Sequence, residues 1–355
     1  MKRIAVAVSG GVDSAVAALL VKQTGFEAVG VTMSFGFFPS AGYGPKQGGL
    51  HDIEDAARIC KKLDIEHHLI DASSEMEKEV IRPFVAEYLK GRTPNPCVVC
   101  NRRLKFGLLL DKALSLGLDG FATGHYAAVT MESGSYYLKK PKDRRKDQTY
   151  FLYSLPKDKL PLLMFPLADY TKEEVRALAV EAGFPVSDGK ESQDVCFMPK
   201  GGCKEFLRGR GADMKQGDIV DTEGRILGQH GGIACYSVGQ RGGLRISAPR
   251  PLYVIQIAAE TNRLIVGEKE DLKAKALVAG QVSWLVDDLP VEAWAKIRYA
   301  HRAEKCRIEQ SSEGNMTVRF NKPQEAISCG QSVVFYDHST VLGGGVIKEV
   351  LSGDC

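Results

Sequence analysis

Residues 3–14 read Arg-Ile-Ala-Val-Ala-Val-Ser-Gly-Gly-Val-Asp-Ser, and the fold turns on this stretch. The run from Arg3 to Val8 shows no polar alternation, as expected of a strand covered on both faces. Gly10 and Gly11 permit a tight turn, and an apolar-periodic segment from Ser14 to Gln23, stopped at Gly25, reads as a helix. A strand, a glycine turn and a helix in that order make a phosphate cradle. The glycines let backbone approach an anion, Ser9 and Ser14 offer hydroxyls, and the helix N-terminus presents free N–H groups and the positive end of its dipole. The G-x-x-x-x-G-K-[ST] spacing of the Walker loop is absent, and with it the lysine that reaches the terminal phosphates there.

Outward from this loop, Phe26 to Met33, His67 to Ile70 and Gly120 to Tyr126 read as strands. After a Gly-rich loop at 36–49, Leu50, Ile53, Ala56, Ala57 and Leu63 keep a helical period, and 75–90 and 103–116 read as further helices. Strands alternating with helices predict a parallel sheet with helices on both faces. Thr171 and Glu174 form a capping box for a helix ended by Gly183 and Pro185. After about residue 205 the texture changes to Gly-rich, short strand-like runs, with TVRF, SVVFYD and GGGVIKEV among the last of them. The reading is therefore α/β followed by β. A parallel-sheet domain covers 1–205, a small β-rich linker domain 206–272, and a C-terminal β-barrel 273–355.

At 355 residues the chain exceeds a single core, and 44% hydrophobic with 26% charged residues excludes disordered, collagen-like and disulfide-scaffold classes. The longest early apolar run, Ile4 to Val8, is too short for a signal-peptide core or a membrane span, so the protein is expected in the cytoplasm with no membrane partner. Nine cysteines, an odd number, fit free thiols, metal ligands or catalytic sulfur better than a structural framework. The net charge, 47 − 44 = +3, says little, but its distribution says more. Basic residues cluster at 90–105, 139–146 (KKPKDRRK) and 296–307 (KIRYAHRAEKCR), as suits a polyanion gripped at separate places. Taken singly, each cluster reads as an ordinary solvated face.

The hexapeptide SGGVDS at 9–14 resembles the PP-loop of ATP pyrophosphatases, which cleave ATP between its α and β phosphates and adenylate a carbonyl-type oxygen. The motifs RTPNPCVVCNRRLKFG (92–107), ATGHY (122–126), KDQTYF (146–151), SQDVCF (192–197) and CYSVGQRGG (235–243) follow in order over almost the whole chain. Together they are similar to those of the bacterial tRNA-specific 2-thiouridylase family. The resemblance implies sulfuration of C2 of the wobble uridine of tRNA, with ATP and Mg²⁺ and with sulfur from a persulfide-donating relay protein or cysteine desulfurase. It implies that Ala7, Val8, Ser9, Gly10, Gly11, Val12, Asp13, Ser14, Met33 and Gly124 hold ATP. Asn95, Pro96 and Cys97 would meet the target base, and His125, Lys146, Asp147, Gln148, Arg298, Tyr299 and Gln331 would touch tRNA. Cys100 corresponds to the nucleophile and Cys196 to the persulfide carrier.

The chemistry calls for such a set. The C2 carbonyl of uracil is a poor electrophile until adenylation turns its oxygen into a leaving group, and Mg²⁺ with phosphate-binding donors stabilises the departing pyrophosphate. A sulfur donor then attacks, and a second thiol breaks the S–S bond. Cys100 is read in a Pro-rich loop just before a helix, with Arg102, Arg103 and Lys105 following, which predicts a lowered thiol pKa. The family commonly carries Asp where this chain has Cys97, so the expected acid/base partner is replaced by half of a C-x-x-C pair. Cys97, Cys100 and Cys196 are therefore candidate ligands of a [4Fe–4S] cluster as well as members of a persulfide relay. His125, at a strand end where sheet ligands collect, reads as a catalytic or tRNA-contacting residue or as a hydrogen-bonded structural one. A PP-loop ligase or amidotransferase acting on a small carboxylate or purine is the competing enzyme reading, and it needs neither basic clusters nor paired thiols. A non-enzymatic RNA-binding module would have no use for an intact SGGVDS.

Overall fold

The computed structural model describes residues 1–36, 50–186, 195–199, 202–212, 214–311 and 314–351. Of the segments singled out above, 37–49, 192–194 and Cys355 lie outside the described residues.

The opening strand β1 (Arg3–Ala7) pairs in parallel with β2 (Glu27–Ser34), which pairs in parallel with β3 (Glu66–Asp71). On its other edge β1 meets β4 (Gly120–Thr123). Consecutive residues of β1 feed different cores: Ile4 and Val6 pack with helix α1 (Val12–Gln23) and helix α2 (Leu50–Leu63), whereas Ala5 packs with Phe106, Leu109, Leu110 and Phe121. That is why the run lacks polar alternation. The hairpin β5 (Ala128–Glu132) and β6 (Ser135–Lys139) follows, and β7 (Leu163–Met164) then completes the sheet in the order β3-β2-β1-β4-β7.

The helix read over 103–116 starts earlier than expected. Helix α3 (Pro96–Cys100) runs without a break into a π-helical stretch (Asn101–Leu109) and an α-helical end (Leu110–Ser115). Pro96 sits in the first turn, where its fixed φ favours the helix and its missing N–H costs nothing. Cys97 and Cys100 thus lie inside a helix, not in a loop ahead of it. The capping box is present as read: Thr171 Oγ1 accepts from the Glu174 N–H at 3.2 Å, and Glu174 accepts from the Thr171 N–H at 2.6 Å, opening helix α4 (Lys172–Glu181).

The central β-rich part is a four-stranded sheet of β8 (Gly217–Val220), β9 (Ile226–His230), β10 (Tyr253–Ala258) and β11 (Arg263–Gly267) around Ile219, Val254, Leu264 and Val266. The C-terminal strands β12 (Lys273–Trp284), β13 (Glu292–Lys296), β14 (Glu304–Gln310), β15 (Met316–Glu325), β16 (Ser332–Asp337) and β17 (Thr340–Leu351) run in the order β12-β15-β14-β13-β16-β17. Pairing of β12 with β17 closes them into an antiparallel barrel, which removes both free edges. The β5–β6 hairpin, which the sequence reading did not anticipate, attaches to β17 and so ties the first domain's chain to the barrel. Among the described residues no helix is long and apolar enough to cross a membrane.

Candidate active site and basic pocket

The loop between β1 and α1 is held open by its own hydrogen bonds. Ser14 Oγ donates to the Gly11 carbonyl at 2.8 Å and accepts from the Ser9 N–H at 3.1 Å, and Gly10 adopts φ +82°, a left-handed conformation that favours glycine. Among the described residues no side chain caps α1, and a Cβ on Gly11 would meet nothing closer than Ser9 Oγ at 3.8 Å, so the first-turn N–H groups of α1 have no partner among the described residues. This suits a phosphate. Gly124 closes the cradle from β4: a Cβ there would fall 2.7–2.8 Å from the backbone of Asp13 and Ser14.

Asp13 is engaged by protein. Lys172 Nζ contacts its two carboxylate oxygens at 2.7 and 2.8 Å, and the Tyr126 hydroxyl donates to Oδ1 at 3.1 Å. The Lys172 N–H in turn donates to Asp143, inside the 139–146 basic segment, at 3.1 Å. Tyr126 also exchanges backbone contacts with Gln148, donating its N–H to Oε1 at 2.8 Å and accepting from the Gln148 N–H at 3.0 Å.

Cys97 and Cys100 stand on α3, and Cys100 and Cys196 join one apolar cluster with Phe35, Phe84, Leu104, Phe197 and Phe206. All three are free thiols. The lowered pKa expected for Cys100 is not found. Burial pushes its thiol up, as it does Cys97 to about 11 and Cys196 to about 12, with neighbouring thiols adding to the rise at Cys97 and Cys196 and the Lys105 charge opposing it at all three. Cys100 ends α3 instead of preceding a helix, and Arg102 and Arg103 point elsewhere, toward Ser283 Oγ at 3.4 Å and Glu79 at 3.9 Å. His125 packs against Phe106 and Phe165 at 5.8 and 6.4 Å, and its Nδ1 shares a 2.8 Å hydrogen bond with Thr123 Oγ1. Burial, and then Lys105, hold its pKa well below the usual histidine value, so the ring is neutral at pH 7.

The loop ahead of α3 is docked on the barrel. Gln331 Nε2 donates to the Thr93 carbonyl at 3.0 Å, and the Thr93 N–H donates to the Cys329 carbonyl at 2.9 Å, which fixes the approach to half-buried Asn95 and buried Pro96. Two of the basic segments meet in a pocket of about 410 Å³ lined by Lys140, Arg144, Asp147, Lys296, His301, Arg302, Ala303 and His338. Asp147, its one carboxylate, is buried and accepts from Thr149 N–H and Oγ1 at 2.9 and 2.6 Å. Nearby, exposed Tyr299 lies over Phe151 at 4.7 Å with Lys296 Nζ at 5.3 Å from its ring. Arg298 is turned inward, its Nη2 donating to the Val238 and Ala326 carbonyls and to Ser328 Oγ at 2.8, 3.0 and 2.5 Å. Lys146 and Met33 are half-buried, Lys146 beside this pocket's loop and Met33 between the two clusters around Phe106 and Cys100.

A family model described as "tRNA methyl transferase HUP domain" matches residues 2–200. One described as "tRNA methyl transferase PRC-barrel domain" matches 204–268, and one described as "Aminomethyltransferase beta-barrel domain" matches 274–347. The tRNA-specific 2-thiouridylase MnmA 1 of Syntrophus aciditrophicus is 48% identical over 350 residues, covering 99% of this chain and 94% of that protein. The tRNA-specific 2-thiouridylase MnmA of Carboxydothermus hydrogenoformans is 43% identical over 359 residues, covering 99% and 98%. The chain belongs to the tRNA-specific 2-thiouridylase family.

A solved structure titled as the U34-tRNA thiolase NcsA from Methanococcus maripaludis with its [4Fe-4S] cluster shares 19% identity at a TM-score of 0.35, over 55% of this chain and 61% of that one. That likeness is too slight to speak for the ligands of this 2-thiouridylase. Among its described residues no group of three or more His, Cys, Asp or Glu is arranged to hold a metal ion. Sequence reading of this family member missed Lys172 and Tyr126. Both lie more than a hundred residues from Asp13, and only the capping box at Thr171 hinted that the start of α4 was fixed in space.

Proposed function

We propose that this 2-thiouridylase family member replaces the C2 oxygen of a wobble uridine in tRNA by sulfur, consuming ATP and releasing AMP and pyrophosphate. The observation that supports it most is Tyr126, whose hydroxyl holds Asp13 of the phosphate cradle while its backbone holds Gln148 beside the basic pocket. A nucleotide end and a polyanion end thus share one residue.

In this reading Ala7 to Ser14 receive the phosphates of ATP, with Met33 and Gly124 beside the nucleoside. The cradle's open N–H groups suit that ligand, and Mg²⁺, when bound with ATP, supplies charge neutralisation at the phosphates. Asn95, Pro96 and Cys97 meet the base, and His125, Lys146, Asp147, Gln148, Arg298, Tyr299 and Gln331 border or brace the RNA path. The terminal sulfur of a Cys196 persulfide attacks C2, and AMP leaves with the C–O electron pair. The Cys100 thiolate then attacks Cys196 Sγ, and the S–S electron pair passes to the sulfur left on C2. This yields the thiocarbonyl and a Cys100–Cys196 disulfide, which an external thiol reduces. A relay protein or cysteine desulfurase reloads Cys196, in the cytoplasm where tRNA is handled. The ATP and thiol chemistry belongs to residues 1–205, while 206–272 link them to the tRNA-contacting barrel of 273–355.

The test is substrate-dependent AMP release. AMP formed with tRNA, and not with amino acids or free purines, is expected. Release driven by a small carboxylate would move the protein to the ligase reading. Iron measured in the same anaerobically purified preparation is expected to be absent, and stoichiometric iron lost on Cys196→Ala would replace the relay by a [4Fe–4S] cluster.

A further inference from the structure

Cys97, Cys100 and Cys196 are surrounded by apolar side chains, yet sulfur transfer places negative charge on sulfur there more than once. A thiolate in such surroundings needs a counter-charge. The π-helical stretch that follows Cys100 closes i→i+5 turns, so the residue five positions on lies over Cys100, where a regular helix would set the residue four positions on. The residue four positions on, Leu104, is fully buried in the apolar cluster, and the residue five positions on is Lys105, half-buried. Arg102 and Arg103, its basic neighbours, are turned to Ser283 and Glu79. The Lys105 side chain has no hydrogen bond or ion pair with any described residue. Its neighbour in sequence, Phe106, packs on His125 at 5.8 Å, which brings the neutral imidazole to the same wall.

We propose that Lys105 is the positioning residue of the sulfur-transfer step, its ammonium serving as the counter-charge for the anionic sulfur passed between Cys196 and Cys100. The groups that face this place are Cys97 and Cys100 from α3, Cys196 from the segment after 194, and His125 from the end of β4. The Lys105 charge acts on each of them, opposing the rise of all three thiols and helping to keep His125 neutral. The proposal rests on the thiouridylase reading and adds a residue to it. Lys105 forms and breaks no bond: it stabilises the persulfide anion that attacks C2 and the Cys100 thiolate that then displaces Cys196.

The experiment compares wild type, Lys105→Met and Lys105→Arg, all in the full chain. Two quantities are read: pyrophosphate released with tRNA and ATP, and 2-thiouridine formed in a single turnover after Cys196 is loaded from a low-molecular-weight persulfide. Lys105→Met is expected to release pyrophosphate, the product of the adenylation that precedes sulfur attack, at near the wild-type rate and to form 2-thiouridine at least about tenfold more slowly, the scale of one opposite charge beside a thiol. Lys105→Arg is expected to recover most of the loss. Equal loss of pyrophosphate and 2-thiouridine in Lys105→Met would assign the residue to folding or to the ATP step. Unchanged sulfur transfer, or a loss that arginine does not rescue, would equally overturn the proposal. Absence of tRNA-dependent AMP in wild type would instead sink the parent reading.

Discussion

Asp13 and Lys172 stand 159 residues apart in sequence and meet through two contacts below 3 Å, with Lys172 almost wholly covered and Asp13 about one-third exposed. The asymmetry decides what each substitution does. Asp13→Ala strands a buried ammonium without its carboxylate, so it is expected to lower stability by about 1–3 kcal/mol. Lys172→Met leaves a partly solvated carboxylate that Tyr126 still contacts, so its cost in stability is smaller. Because Asp13 follows the glycine turn directly, both changes are expected to abolish most tRNA-dependent AMP formation while circular dichroism shows a folded protein. Wild-type AMP release from either variant would mean that the ion pair does not hold the loop in its working shape.

At the scale of elements, local signals were legible wherever the physics was local. The run Arg3 to Val8 and the glycines after it gave the right strand and turn, because burial on both faces and a positive φ at Gly10 leave direct marks on composition. The capping box at Thr171 and Glu174 was legible for the same reason. The start of α3 was not. Pro-Cys-Val-Val-Cys looks like loop chemistry, yet Pro96 at the first turn begins a helix, and burial of Cys100 at its end raises the thiol pKa that was expected to fall. The β5–β6 hairpin was missed because what makes it part of the barrel is a single register contact, Thr340 with Lys139, between distant parts of the chain. The nucleotide loop and the three cysteines were legible as site candidates, whereas Lys172 and Tyr126 act through tertiary contacts that no local pattern records.

For the whole molecule, the decisive arrangement is the meeting of the 139–146 and 296–307 segments in one pocket. Neither segment alone distinguishes a phosphate grip from a solvated face, and their convergence in one pocket favours the phosphate grip proposed above. Arg144 and Arg302 have no carboxylate partner among the described residues, and Arg298 is turned inward onto two backbone carbonyls and Ser328 Oγ, so Arg144 and Arg302 are the cations best placed to meet phosphate. Replacing both by alanine is expected to weaken tRNA binding and to flatten the log–log salt dependence by roughly two units. An unchanged slope would return them to ordinary surface charge. The most direct measurement is mass spectrometry of the nucleosides of tRNA incubated with the protein, ATP, Mg²⁺ and a persulfide donor. 2-Thiouridine at the wobble position, absent when ATP is withheld or when Cys100→Ala replaces the wild type, is the predicted result. tRNA that returns with no sulfur at that position while ATP is still converted to AMP would contradict it.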